Sequence, residues 1–283
     1  MHVVESVGVS MDLNTINEVA HPKAREQLPV WTAGDAWLAG GTWLFSEPQV
    51  HLSRLIDLTD LKWPALTVSG TGLSIAATCT VAQLDALACP PEWIAAPLIN
   101  QCCRAFLASF KIWKTATVGG NICMSLPAGP MISLTSALDG VCTIWQAGGG
   151  ERKIAVADFV TGNNSNVLAP GDLLRQIDIP LEALKRRSAF RQLSLTPVGR
   201  SAVLLIGSVT GEGGLALTIT ASTMRPVQLS FAGIPPTEEL HETILQRIPD
   251  GLYHTDVHGK PMWRKAMTLR LAEEIRSELQ ARP

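Results

Sequence analysis

Two paired-glycine segments constrain this chain more than any other feature. Leu38-Ala39-Gly40-Gly41-Thr42 and Thr117-Val118-Gly119-Gly120-Asn121 stand about eighty residues apart, each where an apolar run ends. Without a Cβ, the backbone there can approach a bulky anion and aim its N–H groups at phosphate oxygens. Thr42, Thr117 and Asn121 add side-chain donors. Two such loops can clasp one pyrophosphate from opposite sides, although a single Gly-Gly is most often just a tight turn. The G-x-G-x-x-G fingerprint in its strand-to-helix context and the G-x-x-x-x-G-K-[ST] loop are both absent, so a dinucleotide held here is not held by a Rossmann fold.

The chain is long enough to bury a substantial core. At 283 residues it accommodates one large domain or two to three smaller ones. With 23 Lys and Arg against 25 Asp and Glu, the net charge of −2 lacks the basic footprint of a nucleic-acid binder. Charged residues make up only 17%, below the roughly 25% of an ordinary soluble domain, which points to a surface covered by a partner. No apolar run reaches a membrane span, and the opening MHVVESVGVS lacks the features of a signal peptide, so a soluble, cytoplasmic protein is expected. Six cysteines without a C-x-x-C pair argue against a structural zinc or an iron–sulfur cluster held within this chain.

The pattern divides at about residues 66 and 180. Residues 1–66 read as a helix-forming stretch from Asn14 to Gln27, a strand ending at Ala39, and a helix-then-strand segment closing on Leu55 to Leu58. Residues 67–180 read as a second α/β unit, with helical stretches Val81 to Ala88 and Ala96 to Phe110. Residues 181–283 carry three strand-like runs, Ala202 to Val209, Gly214 to Ser222 and Pro226 to Ala232. These read as a three-stranded antiparallel meander, with an amphipathic helix from Trp263 to Leu279 lying on it.

The order A-G-G-T at Ala39, T-V-G-G-N-I at Thr117, L-x-P-G-D-L-L at Leu168 and W-R-K-A at Trp263 resembles the FAD-binding medium subunit of molybdopterin dehydrogenases, the group of carbon monoxide dehydrogenase and xanthine dehydrogenase. The likeness runs from about Met11 to the last helix. It implies an α+β fold: a two-part α/β FAD-binding region of the vanillyl-alcohol oxidase (PCMH-like) type, then an α+β C-terminal domain.

The resemblance also assigns residues. Leu38, Ala39, Gly40, Gly41 and Thr42 would wrap the FAD pyrophosphate, and Thr117, Gly119, Gly120 and Asn121 would meet it and the ribose or ribityl chain. Ala108 would lie close to the flavin, and the backbone of Leu174 would approach the flavin or adenine. Arg191 would stand where relatives have a lysine near the flavin carbonyl edge, its bland alternative being a surface arginine beside Arg186 and Arg187. Trp43 replaces a polar residue after the first loop, offering an apolar ring, and Pro130 replaces an aspartate that would bond ribose.

By the same resemblance no catalytic base or nucleophile is required. The chain would hold and tune FAD, receive electrons from a [2Fe–2S] small subunit served by a molybdopterin-binding large subunit, and pass them to NAD, O2 or a quinone, within a dimer of heterotrimers. The losses at Trp43 and Pro130 keep a second reading open: a flavin-fold scaffold with weak or lost FAD binding. His254 and His258, four residues apart around Asp256, would share a helix face as metal ligands do, but Gly259 and Pro261 favour a loop.

Overall fold

The structure, a computed structural model, describes residues 13–281; the opening segment read against a signal peptide lies outside them. Three short strands, β1 (Glu18–Ala20), β2 (Asp35–Leu38) and β3 (Arg54–Asp57), form a parallel sheet in the order β1-β3-β2. The helix expected from Asn14 to Gln27 is instead β1 followed by one 3-10 turn, Arg25–Gln27. Pro22 explains this, since it cannot donate to a helical ladder and biases His21 towards extended backbone.

The middle of the chain builds on a five-stranded antiparallel sheet. A hairpin of β4 (Leu66–Ser69) and β5 (Gly72–Ala76) is followed by five helices: α1 (Val81–Asp85), α2 (Pro97–Ala105), α3 (Phe110–Trp113), α4 (Val118–Met124) and α5 (Pro130–Ala137). Next come β6 (Val141–Trp145), β7 (Glu151–Ala155), α6 (Val156–Phe159), the small hairpin of β8 (Val160–Gly162) and β9 (Ser165–Asn166), then β10 (Leu173–Pro180) and α7 (Leu181–Leu184). The sheet order is β4-β5-β10-β6-β7. The long helix expected to Phe110 ends at Ala105, and the chain restarts at Ser109, whose side chain accepts from the Ile112 N–H as the cap of α3.

The C-terminal sheet has four strands where three were expected. β11 (Ser188–Leu193) pairs along its whole length with β12 (Val203–Val209), followed by β13 (Leu215–Thr220) and β14 (Val227–Phe231). The sequence hides β11 because Arg191 and Gln192 break its apolar alternation. Helices α8 (Thr237–Arg247) and α9 (Pro261–Ala281) complete the unit. At Gly207 an added Cβ would lie 2.3 Å from Ile275 of α9, so the glycine lets helix and sheet pack closely.

Every residue of α5 is buried. It packs against α2, α4 and α6 and against β12 and β13 of the four-stranded sheet, tied to that sheet by a 2.7 Å hydrogen bond between the Ser133 and Thr220 hydroxyls and by Gln228 Nε2 donating to the Ser136 carbonyl at 2.7 Å. Pro130 is the first residue of this helix, where its missing N–H costs nothing. Among the described residues no helix is long and apolar enough to cross a membrane.

Candidate functional site

The two glycine segments meet. An ideal Cβ on Gly40 would lie 1.9 Å from the Thr115 carbonyl oxygen, two residues before the second segment begins. Gly41 follows in the left-handed region at φ +67°. Between them opens a cavity of about 490 Å³, within the range of ordinary ligand sites.

The first segment is held from behind. Asp35 on β2 accepts from Arg54 on β3 in a two-pronged pair, Nε–Oδ1 2.8 Å and Nη2–Oδ2 2.6 Å, and from the Thr32 N–H at 2.7 Å. The hydrogen bonds from Arg54 hold this buried carboxyl below the usual range. Trp37 Nε1 donates to the Asp172 carbonyl at 2.9 Å, anchoring β2 to the Pro170-Gly171-Asp172-Leu173-Leu174 segment. The strand then delivers a loop whose amides at Gly40, Gly41 and Thr42 donate to no protein acceptor among the described residues. These are the donors a phosphate requires.

The second segment is built differently. Thr117 caps α4, its hydroxyl accepting from the Gly120 N–H at 3.0 Å. The N–H groups of Val118 and Gly119 donate to the carbonyls of Cys79 and Ala77. Gly119 is required for packing, because a Cβ there would sit 2.5 Å from that of Ala77. The backbone amides of Val118, Gly119, Gly120 and Asn121 are therefore used internally, and the polar groups these residues leave for the cavity are side chains. Asn121 Oδ1 accepts from the Met131 N–H at 3.1 Å, leaving Nδ2 with no protein acceptor among the described residues.

Of the residues expected at the site, Ala39, Gly40, Gly41, Thr42, Trp43, Ala108, Thr117, Gly120 and Asn121 line this one cavity. Leu38, Gly119, Leu174 and Arg191 do not. Leu174 is 2% exposed in the main core, paired with Ile144 on β6. Arg191 faces α9, where it donates to Glu274 at 3.1 Å and Glu278 at 2.8 Å. Burial lowers its pKa, but those carboxylates outweigh it and raise the guanidinium further.

Sequence reasoning missed the apolar wall: Trp37, Leu44, Phe106, Leu107, Ile112 and Met124. The available signal was Ser109, whose capping character marks a break that turns Phe106 to Ala108 into a loop. Cys123 also lines the cavity, and burial pushes its thiol up to about 12, so it is neutral at physiological pH. His254, Asp256 and His258 lie in a loop outside the cavity, with Asp256 taken by the buried Arg264.

A sequence profile of the FAD binding domain in molybdopterin dehydrogenase matches residues 15–182. The chain belongs to this family. As a molybdopterin dehydrogenase flavin domain it is an oxidoreductase component whose cofactor is FAD. Among curated protein sequences none matches. Solved structures share the fold. Quinoline 2-oxidoreductase from Pseudomonas putida 86 superposes with a TM-score of 0.77 at 18% identity, over 94% of this chain and 97% of that one. A Cu,Mo-CO dehydrogenase in its cyanide-inactivated form gives 0.75 at 19% identity, over 94% and 98%. Carbon monoxide dehydrogenase from Hydrogenophaga pseudoflava gives 0.73 at 17%, over 94% and 97%.

The residues present fit FAD. Free amides at Gly40 to Thr42 suit a diphosphate, Thr42, Thr117 and Asn121 suit polar chain atoms, and the aromatic and aliphatic wall suits flat rings.

Proposed function

We propose that this chain is the FAD-carrying subunit of a heteromeric molybdenum hydroxylase, receiving electrons from a [2Fe–2S] subunit and passing them to an external acceptor. The observation that carries this is the cleft where both glycine segments converge with open amides on one side and an apolar wall on the other. When bound there, FAD supplies the exchange between single-electron and two-electron carriers. The protein residues hold and orient it: Gly40, Gly41 and Thr42 through amides, Thr117 and Asn121 through side chains, Trp43 and Ala108 from the rim. Leu38, Gly119 and Leu174 act through backbone and packing, and Arg191 by fixing α9 to β11.

The solved neighbours include a Cu,Mo-CO dehydrogenase and a carbon monoxide dehydrogenase described by its molybdenum cofactor, which supports a molybdenum partner for this chain. The rim supports a covered face, since Trp43, Phe45, Leu107, Phe110 and Ile112 are all exposed apolar side chains. A dimer of such heterotrimers in the cytoplasm, with NAD, O2 or a quinone as acceptor, completes the reading. A scaffold without flavin fits less well, because a loop with no ligand has no use for the open amides of Gly40, Gly41 and Thr42 lining a cavity.

Affinity purification of the tagged chain from its native host tests this. The expected isolate holds two partner subunits, molybdenum, [2Fe–2S] clusters and FAD, with the flavin bleaching when the clusters are reduced. Isolation of the chain alone, or with partners free of iron and molybdenum, contradicts it.

A further inference from the structure

Three loops meet at the edge of the four-stranded sheet where β12 begins and β13 ends: 194–202 after β11, 221–226 after β13, and 253–260 before α9. The buried Arg264 ties them together, donating to the carbonyls of Ala202, Ala221 and Gly259. Met224 N–H donates to the Leu252 carbonyl at 3.0 Å and His254 N–H to that of Ser222 at 2.8 Å. Ala221 N–H also donates to the Pro127 carbonyl at 2.9 Å, which sets this edge just beyond Met124 of the cleft. Apolar side chains stand out from it: Val257 is 88% and Met262 86% exposed, and Leu195 and Val198 are exposed as well. The chain as a whole carries a net charge of −2, yet this edge is basic. Arg200, Arg225 and Lys260 are exposed and have no hydrogen bond or ion pair among the described residues. The neighbouring carboxylates are already taken, Asp256 by Arg264 and Asp250 by Lys265 at 2.7 Å. The start of α9 at Pro261 adds the positive end of a long helix.

From this convergence we infer that the edge is a docking surface for an acidic partner protein, one whose contacting face sets carboxylates around an apolar centre. The inference goes beyond the proposed function and stands apart from it. Unpaired cations on a chain of opposite net charge attract and orient an acidic face, and they do so over a range set by the ionic strength. The protruding Leu195, Val198, Val257 and Met262 supply the apolar contact that holds the encounter. Interleaved charge marks the binding as transient, because permanent interfaces bury large apolar cores from which charged residues are depleted. A nucleic acid fits less well, since these exposed apolar side chains are aliphatic and offer bases no aromatic platform. A partner seated on this edge stands beside the cleft without filling it.

The test uses the chain in its native assembly, in an extract of its own host, treated at low and high sodium chloride with a carbodiimide, which joins an amine directly to a carboxylate. Peptide mass spectrometry then reads what is joined to Lys260. The expected product is Lys260 linked to an Asp or Glu of one protein outside the stable assembly. Its yield should fall steeply with salt and several-fold in the double variant Arg200→Glu, Arg225→Glu. The pair Val257→Ser, Met262→Ser should lower the yield at every salt concentration while keeping the salt dependence. All four positions are exposed, so each variant should assemble and melt as the unaltered chain does. The protein so identified, once purified, should bind the assembly in a calorimetric titration with the same order of losses. No link at Lys260 overturns the inference. So does a link only to a permanent subunit or a second copy that persists in high salt, or an edge that retains nucleic acid in place of a protein. A colourless chain that still forms the link would sink the flavin reading and leave this one standing.

Discussion

Gly40 and Gly119 shape the cleft from its two sides, each by letting backbone approach backbone. A methyl at Gly40 would press on the Thr115 carbonyl and separate the two loops. Gly40→Ala should therefore cost roughly 1–3 kcal/mol of stability and also weaken FAD binding. Gly119→Ala, which meets Ala77 behind the cleft, should cost a similar roughly 1–3 kcal/mol, read as a lower urea midpoint with an unchanged slope. An unaltered midpoint in either variant would show that the loops give way freely. Gly120 differs, since a Cβ there meets only the Thr117 hydroxyl at 2.9 Å. Its substitution should spare the fold and damage the cleft.

Two ion pairs hold elements of the fold, the first beneath the site and the second in the C-terminal unit. Asp35 is buried against Arg54 and its pKa lies below the ordinary value, first because of the Arg54 hydrogen bonds. A depressed folded pKa gives stability that is complete above the unfolded value of about 3.9 and is lost as pH falls through the folded one. Acid titration followed by hydrogen exchange should thus show β2 and β3 opening below about pH 4, and Asp35→Asn should remove that dependence. Arg264 is 1% exposed on α9 and donates to the Ala221 carbonyl at 2.7 Å, to Gly259 at 3.1 Å, and to Ala202 and Asp256. Arg264→Met should cost about 3 kcal/mol, because it strands buried carbonyls and a carboxylate together. A thermal scan showing no loss would contradict this.

The same elements show what the sequence could reveal. β12, β13, β14 and α9 were legible because their apolar residues recur at strand and helix periods over long runs. β11 was not, since its Arg191 answers to two glutamates 83 and 87 residues away, a tertiary fact no local pattern carries. The glycine segments were legible as a pair, but their division of labour was not. Which amides stay open depends on Cys79 and Ala77 capturing those of Val118 and Gly119.

At the scale of the whole molecule, the cleft lies between the loop after β2 and the segment from Phe106 to Met124, and the four-stranded sheet packs on the buried helix α5. The parallel sheet supplies the loop with open amides, the antiparallel sheet and its helices supply the opposite wall, and the four-stranded unit braces α5 from behind. Under the proposed function, this chain binds and orients the flavin of an oxidoreductase complex, and the chemistry on substrate falls to its partners. The most direct measurement is a visible absorption spectrum of the purified complex, with heat release and chromatographic identification of its flavin, beside the Gly120→Val variant. The account predicts one FAD per chain, released intact, and its loss from a variant complex that still assembles. A colourless complex that assembles with the unaltered chain would contradict it and leave the fold as a scaffold.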